Sequence, residues 1–364
     1  MHFFYNEDKI CFEEKIKAMF KDRLGTEDSR RKVFYYMSEE RKGNILYLVV
    51  PCYNEEEIIS SSIEKLTEKM GRLMKAKKIS SKSKIVFVND GSRDKTLEIL
   101  HKEAKRNVMI SAISFSTNFG HQSAILAGML SSAKHADMVI TIDADLQQDI
   151  EALDDFITCY ENGCEIVYGV RTDRDSDSFF KKFTATMYYK LLHWLGCDII
   201  TNHADYRLMS SKAIKALEQY DEVNLFLRGL IPTLGFQSDI VYFEVKKREA
   251  GSSKYTLKKM VQLATDGITS LSVKPLRIII ALGLITCVFS VFMMIVSLVD
   301  WLQGNNIPGY TTSILISLIL GGVTLLSLGI IGEYVGKIYM ETKRRPRYVI
   351  ETMVWNDKDI TSQE

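Results

Sequence analysis

The stretch TIDADLQQD, residues 141–149, sets Asp143 and Asp145 one residue apart at the end of an apolar run, with Gln147, Gln148 and Asp149 close behind. Two carboxylates at that spacing repel each other and need either water or a cation between them. At positions i and i+2 of a strand end, where the chain begins to turn, both can converge on one hard ion. Mg²⁺ or Mn²⁺ takes one or two carboxylates and completes its shell with phosphate oxygens, so the ligand this pair suits is a nucleoside diphosphate compound. A solvated loop also contains such pairs, and the rest of the chain has to decide between the two readings.

The elements that must position these residues alternate in type. ILYLVVP (45–51) reads as a buried strand by its apolar, β-branched run. The segment after it reads as a helix capped by Asn54 with Glu57 as its partner, and Ile59, Ile63, Leu66, Met70 and Leu73 form its apolar stripe. Further strands are expected over 84–90, 109–116, 137–143 and 164–171, with helical patterns between them. This alternation implies a doubly wound, mostly parallel sheet, whose ligands sit at the carboxyl ends of the strands. The polar residues stand at those ends: Pro51, Tyr53, Asn54 and Glu55; then Asn89, Asp90, Gly91 and Ser92; then TNFGHQ; then Asp143, Asp145 and Gln147; then Arg171. Five polar ends on one rim favour a ligand site over five ordinary turns. No GxGxxG occurs, which counts against a dinucleotide-binding protein. His121 reads as a structural residue at a helix start, and His193 and His203 as packing residues.

Two apolar runs, 276–299 and 313–335, are each long enough to cross a ~30 Å hydrocarbon core. The connection DWLQGNNIPGY has no Lys or Arg, whereas Lys274, Arg277, Lys337 and KRRPR (343–347) lie outside the runs. This asymmetry predicts a multi-pass protein of the cell membrane, with both ends cytosolic and the short connection on the far side. Charged residues make up 26% of the chain and the formal net charge is +1, so no global field points to nucleic acid. The six cysteines form no CxxC pair and fit reduced thiols facing a cytosol. The N-terminus is too charged for a signal peptide. Two segments, 178–196 and 254–277, mix basic residues with apolar and aromatic ones and suit a membrane surface.

VVPCYNEEE, VNDGSRDKT, NFGHQSAILAGM, DADLQQD, ADYRLMS, RGLIPTLGF and REAGSSKY occur in that order. Together they resemble the family 2 glycosyltransferases that load polyprenyl phosphate, namely the dolichyl-phosphate mannose synthases and the bactoprenyl-phosphate glucosyltransferases. The resemblance covers roughly residues 45–340. It implies a GT-A fold, a Rossmann-like α/β domain with a mostly parallel sheet, followed by amphipathic juxtamembrane helices and two transmembrane helices. The implied division is a charged extension (1–44), a catalytic domain (45–252), a juxtamembrane segment (253–275), a two-span hairpin (276–335) and a basic tail (336–364).

The activity it implies is inverting, non-processive transfer of one sugar to undecaprenyl phosphate from a nucleotide-sugar. By analogy with two-span bacterial relatives the donor is UDP-glucose or UDP-N-acetylglucosamine. Carried over by position, Pro51, Tyr53, Glu55 and Asp90 hold the base and ribose, and Asp143, Asp145 and Gln147 hold Mg²⁺ or Mn²⁺ and the diphosphate. Asp205 matches the acid discussed as a base, with Arg207 beside it, and Arg171, Arg248, Ser253 and Lys254 match positions near phosphates. The resemblance also implies the lipid bilayer as a partner, a homo-oligomer, and a flippase and downstream glycosyltransferase as further partners. Asn89 stands where many relatives have an acid, and Arg174 competes with Arg171 for the family arginine. The physics agrees: transfer to a lipid phosphate brings two anions together, and these call for a cation and for arginine or lysine donors. The rival readings are a processive synthase, an inactive membrane scaffold, and a transferase with a non-lipid acceptor. The first usually carries QxxRW, which is absent; the intact acids speak against the second, and the two spans with their amphipathic approach against the third.

Overall fold

A computed structural model describes residues 43–172, 203–245, 269, 272–302, 310–355 and 358–361. The described elements begin with strand β1 (Leu46–Cys52), helix α1 (Ile59–Lys75), β2 (Lys84–Asn89), α2 (Thr96–Arg106), β3 (Ile110–Phe115), α3 (His121–Ser132) and β4 (Met138–Thr141). A short 3₁₀ turn (Ile150–Ala152) leads into α4 (Leu153–Glu161) and β5 (Ile166–Arg171). After the break come β6 (His203–Ser210), α5 (Ser211–Glu218), α6 (Leu227–Thr233) and β7 (Ser238–Phe243). Two long helices, α7 (Lys274–Leu302) and α8 (Tyr310–Thr342), precede a hairpin of β8 (Ile350–Trp355) and β9 (Lys358–Thr361).

The sheet order is β7-β5-β6-β4-β1-β2-β3-β8-β9. The strands β4, β1, β2 and β3 are parallel, as their continuous apolar runs require of strands covered on both faces. Two apolar layers cover the sheet, one gathering α1, α2 and α4, the other α3, α5 and α6. At Gly128 of α3 an added Cβ would strike Val49 of β1, so only glycine lets this helix lie so close to the sheet. β6, β8 and β9 run antiparallel to their neighbours.

Two expectations need correction. Asn54 does not cap α1: the helix starts five residues later, with Ile58 at the cap position and no side-chain cap bond. Asn54 instead adopts a left-handed φ of 52° and its side-chain oxygen accepts a hydrogen bond from the Arg93 amide. Nor is 336–364 only a basic tail. α8 runs on to Thr342, and the chain then returns to the sheet, where β8 pairs with β3 and buries Val354 and Trp355.

α8 contains a stretch, Ile319–Thr342, long and apolar enough to cross a membrane by length and composition. Among their described residues both long helices carry exposed apolar side chains, Ile280, Phe289, Leu325 and Leu326 among them. The extension 1–42, the segment 178–196, most of 254–277 and the connection 303–309 lie outside the described residues.

Candidate active site

The parallel strands bring their carboxyl ends to one rim, and β6 enters that rim from the opposite direction. Thr141 of β4 pairs with Arg207 of β6. Because the pair is antiparallel, Asp205, two residues earlier, stands level with Asp143. Along β6 the side chains alternate. Ala204, Tyr206 and Leu208 join one apolar layer, which turns His203, Asp205 and Arg207 to the other face.

Asp205 is the centre of the charge arrangement. It is 6% exposed. Arg228 of α6 grips both its oxygens, Nη2 to Oδ2 at 2.8 Å and Nε to Oδ1 at 3.2 Å. Arg207, fully buried, donates to Oδ1 from below. The Gln122 amide lies 3.5 Å from Oδ2, and His121 Nε2 lies 3.6 Å from the same oxygen. Burial alone would push this carboxyl up. The Arg228 charge, the neighbouring His121 imidazole and the Arg207 charge overcome it and hold Asp205 well below the ordinary carboxylate range. A carboxylate so held is an anchor for cations and a poor proton acceptor.

Asp143 faces it across the same space. His121 Nε2 is 3.6 Å from Asp143 Oδ1, so one imidazole lies between the two acids. Burial lowers the His121 pKa, but the nearby Asp205 and Asp143 carboxylates outweigh it and the net direction is up. The site thus already accepts a positive charge at this point. Asp143 itself is raised, first by burial and then by the Asp205 and Asp145 charges, against His121 and Gln148. The Gln148 side chain accepts from the Asp143 amide at 2.8 Å and donates to Asp143 Oδ2. Asp145 Oδ1 accepts from the Gln147 amide at 3.2 Å. The loop is fixed from outside as well: Ser62 donates to the Ala144 carbonyl, Tyr206 to that of Asp149, and buried Lys69 bridges Glu151 and Asp154.

Among the described residues no three His, Cys, Asp or Glu side chains form a closed metal cage. Two carboxylates such as Asp143 and Asp145 cannot fill the shell of a hard cation, which would leave its remaining positions for oxygens of a ligand. That donor chemistry fits Mg²⁺ or Mn²⁺ with a diphosphate.

Asp90 is placed differently from the other acids. It is 3% exposed, and its carboxylate accepts from the Asn118 side chain at 2.9 Å and from the amides of Phe119 and Gly120 at 2.7 and 3.0 Å. It holds the turn that delivers His121. Gly91 beside it has φ 64°, and a Cβ there would strike the backbone of Thr117 and Asn118, so the turn demands glycine. Asn89 is buried and bonds Ser114 and the Ser92 amide, a structural position. Pro51 is buried at the end of β1, Tyr53 is 38% exposed, and Glu55 is half-buried at the same rim. Arg171 is exposed at the end of β5. Arg248, Ser253 and Lys254 lie outside the described residues.

Sequence reasoning passed over two site residues. Arg228 was visible in RGLIPTLGF as a lone cation in an apolar run. His121 does start α3 as expected, but the rim that carries the acids is the end of the sheet where that helix begins.

Residues 47–218 match the glycosyl transferase family 2, and residues 274–338 match the GtrB C-terminal hairpin. The uncharacterized glycosyltransferase YkoT of Bacillus subtilis is 45% identical over 86% of this chain and 93% of its own length. A bactoprenol glucosyl transferase of Shigella phage SfX is 37% identical over 84% of this chain and 98% of its own. Likeness to solved structures is more distant. Glucosyl-3-phosphoglycerate synthase from Mycobacterium tuberculosis, in complex with Mn²⁺ and UDP-glucose, is 15% identical with a TM-score of 0.42, over 64% of this chain and 81% of that one.

Proposed function

The chain belongs to glycosyl transferase family 2, and from that premise we propose that it moves one sugar from a UDP-sugar, glucose or N-acetylglucosamine, to undecaprenyl phosphate at the membrane. The observation that carries this reading is the opposed set at one rim: Asp143 and Asp145 on one side, and Arg228 with Arg207 gathered on Asp205 on the other. A reaction between two phosphorylated partners needs both signs of charge at one place. The name of the phage relative supports the lipid acceptor, and the hairpin match supports residence in the membrane.

In this reading Pro51, Tyr53, Glu55 and Asp90 frame the nucleoside, with Asp90 acting through the turn it holds. Asp143, Asp145 and Gln147 hold the diphosphate end with Mg²⁺ or Mn²⁺, which when bound neutralises the charge that grows on the departing diphosphate. The transfer is inverting. An oxygen of the lipid phosphate forms a bond to the anomeric carbon as the bond to the nucleoside diphosphate breaks on the opposite face. A phosphate monoester has a second pKa of about 6, so most of it is already dianionic at neutral pH and needs no base. Asp205 therefore positions Arg228 and Arg207 rather than taking a proton. Arg171, Arg248, Ser253 and Lys254 are assigned to the lipid phosphate.

We further place the protein as a multi-pass membrane enzyme with a cytosolic active site, acting as a homo-oligomer ahead of a flippase and a second transferase. The test is direct. Membranes carrying the protein are incubated with labelled UDP- and GDP-sugars plus undecaprenyl phosphate, and the lipids are extracted. Label in the lipid phase from a UDP-sugar is the expected result. Label only in water-soluble products, or none above control membranes, would overturn the reading.

A further inference from the structure

The end of the membrane helix α8 is bonded to the catalytic domain at one place. Glu341, the penultimate residue of α8, receives four hydrogen bonds from two consecutive residues of the domain. The Val223 amide lies 3.0 and 2.9 Å from its two oxygens, and the Asn224 amide and side chain lie 2.9 and 3.0 Å from Oε1. A carboxylate in the last turn of a helix faces unpaired carbonyls and the negative end of the dipole, which disfavours it. Charge-assisted bonds from three donor groups offset that penalty, and they order the chain that makes them.

That chain leads straight to the active site. The Leu225 amide bonds the Val223 carbonyl, and the Phe226 carbonyl takes the amides of Gly229 and Leu230, so the backbone is bonded from residue 223 into α6. Leu227 is fully buried in the apolar layer, and Leu225 and Tyr348 pack against it. Arg228 is the second residue of α6, four residues after Asn224, and its guanidinium spans both oxygens of Asp205. The same loop is held a second time, where Arg347 donates to the Tyr220 carbonyl and lies 3.4 Å from Asp221.

We propose that Glu341 is a positioning residue for sugar transfer: through the 223–226 turn it sets Arg228 against Asp205, so this arginine is in place only when the membrane hairpin is seated on the domain. The inference rests on the transfer reaction proposed above. It assigns to the membrane helix a part in the chemistry beyond anchoring. A misplacement of about 1 Å in a charged group can cost roughly 10²-fold in rate, so loosening this turn is enough to matter.

The test is a double-mutant cycle on the full chain in membranes, read as lipid-linked sugar formed at saturating and at limiting donor. Glu341→Ala is expected to lower kcat by about 10- to 10²-fold, with a small change in donor KM. In the Arg228→Ala background the same change should cost less than about 2-fold, because the group it positions is gone. Glu341→Gln keeps an acceptor oxygen for the amides and should recover most of the turnover lost in Glu341→Ala. If Glu341→Ala does not accumulate in membranes, Glu341→Gln, expected a few-fold down, carries the same cycle. Equal fold-losses in both backgrounds, or full activity of Glu341→Ala, would overturn the proposal while leaving the transfer reaction intact. Absence of transfer by the unmutated protein would instead remove the reaction itself.

Discussion

Asp205→Asn tests whether the acid at the centre of the site is a base or an anchor. The carboxylate accepts a two-pronged contact from Arg228 at 2.8 and 3.2 Å and a further bond from Arg207. Asparagine keeps one acceptor oxygen and turns an amide N–H₂ toward a guanidinium. Arg207 is then a buried cation without its partner, and breaking a buried pair on one side costs about 3–5 kcal/mol. Loss of one preorganised electrostatic contact in the transition state lowers the rate on the order of 10²–10³-fold. The pH profile separates the two roles. The folded pKa of Asp205 is depressed, so its stabilising effect is complete above the unfolded value of about 3.9 and is lost only as pH falls through the lower folded value. Between pH 5 and 8 it stays ionised and contributes no limb. The acid limb of kcat/KM should therefore follow the lipid phosphate, near pH 6. Asp205→Asn should lower the whole profile without moving that limb, and a phosphonate acceptor of altered pKa should move it. If the limb shifts in Asp205→Asn while the phosphonate leaves it in place in the unmutated enzyme, Asp205 takes the proton and the anchoring account fails.

Asp145→Asn should cost about 10²–10³-fold in transfer and weaken Mn²⁺ binding measured by electron paramagnetic resonance; unchanged binding and activity in excess chelator would remove the cation from this loop. A cysteine placed at Asn305 should be labelled by an impermeant reagent from outside intact cells, and one at Arg93 only after permeabilisation; the reverse pattern would put the active site on the wrong side for its donor. His203 is 5% exposed, both its ring nitrogens lack a partner, and burial, helped by the Arg207 and Arg228 charges, pushes its pKa down to about 3. The unfolded chain takes up this proton near pH 6.5, so stability should fall as pH drops from 6.5 toward 3, with a slope of up to ~1.4 kcal/mol per pH unit. In detergent, His203→Phe should flatten that part of the denaturation curve, and an unchanged slope would show that other groups cause it.

The parallel strands were legible because strands buried on both faces must be apolar throughout, and Leu46–Cys52, Lys84–Asn89 and Ile110–Phe115 fall within about one residue of their runs. Their polar ends were legible for the same reason, since a change from apolar run to Asn, Asp and Gly marks where the sheet stops. The cap was misread because Asn54 has two local options, and its oxygen found the Arg93 amide from a neighbouring loop, a partner distant in sequence. The closing hairpin was missed because β8 and β9 lie at the edge of the sheet, where exposed residues such as Glu351 weaken the apolar signal. The role of Glu341 was equally hidden, as nothing in the order of residues says that it meets Val223 and Asn224.

β6 shows why the decisive strand was the hardest to read. HADYRLMS alternates strictly through its first six residues, with His, Asp and Arg at one parity and Ala, Tyr and Leu at the other. In an isolated stretch that pattern describes a half-exposed strand with polar residues in water. Here every residue of the strand is buried, so the polar parity faces the site rather than solvent. The two readings differ only in what covers that face, and the cover comes from α3 and α6, which supply His121, Gln122 and Arg228. A sheet of parallel strands alone would reach the rim only through the loops that follow each strand. Reversing one strand brings side chains to the rim from within a strand, where the pleat and the ladder fix their direction more tightly than a loop can. The acid that must hold two arginines at set distances stands on that strand, while the acids suited to an exchangeable cation and a departing diphosphate stand on the loop after β4.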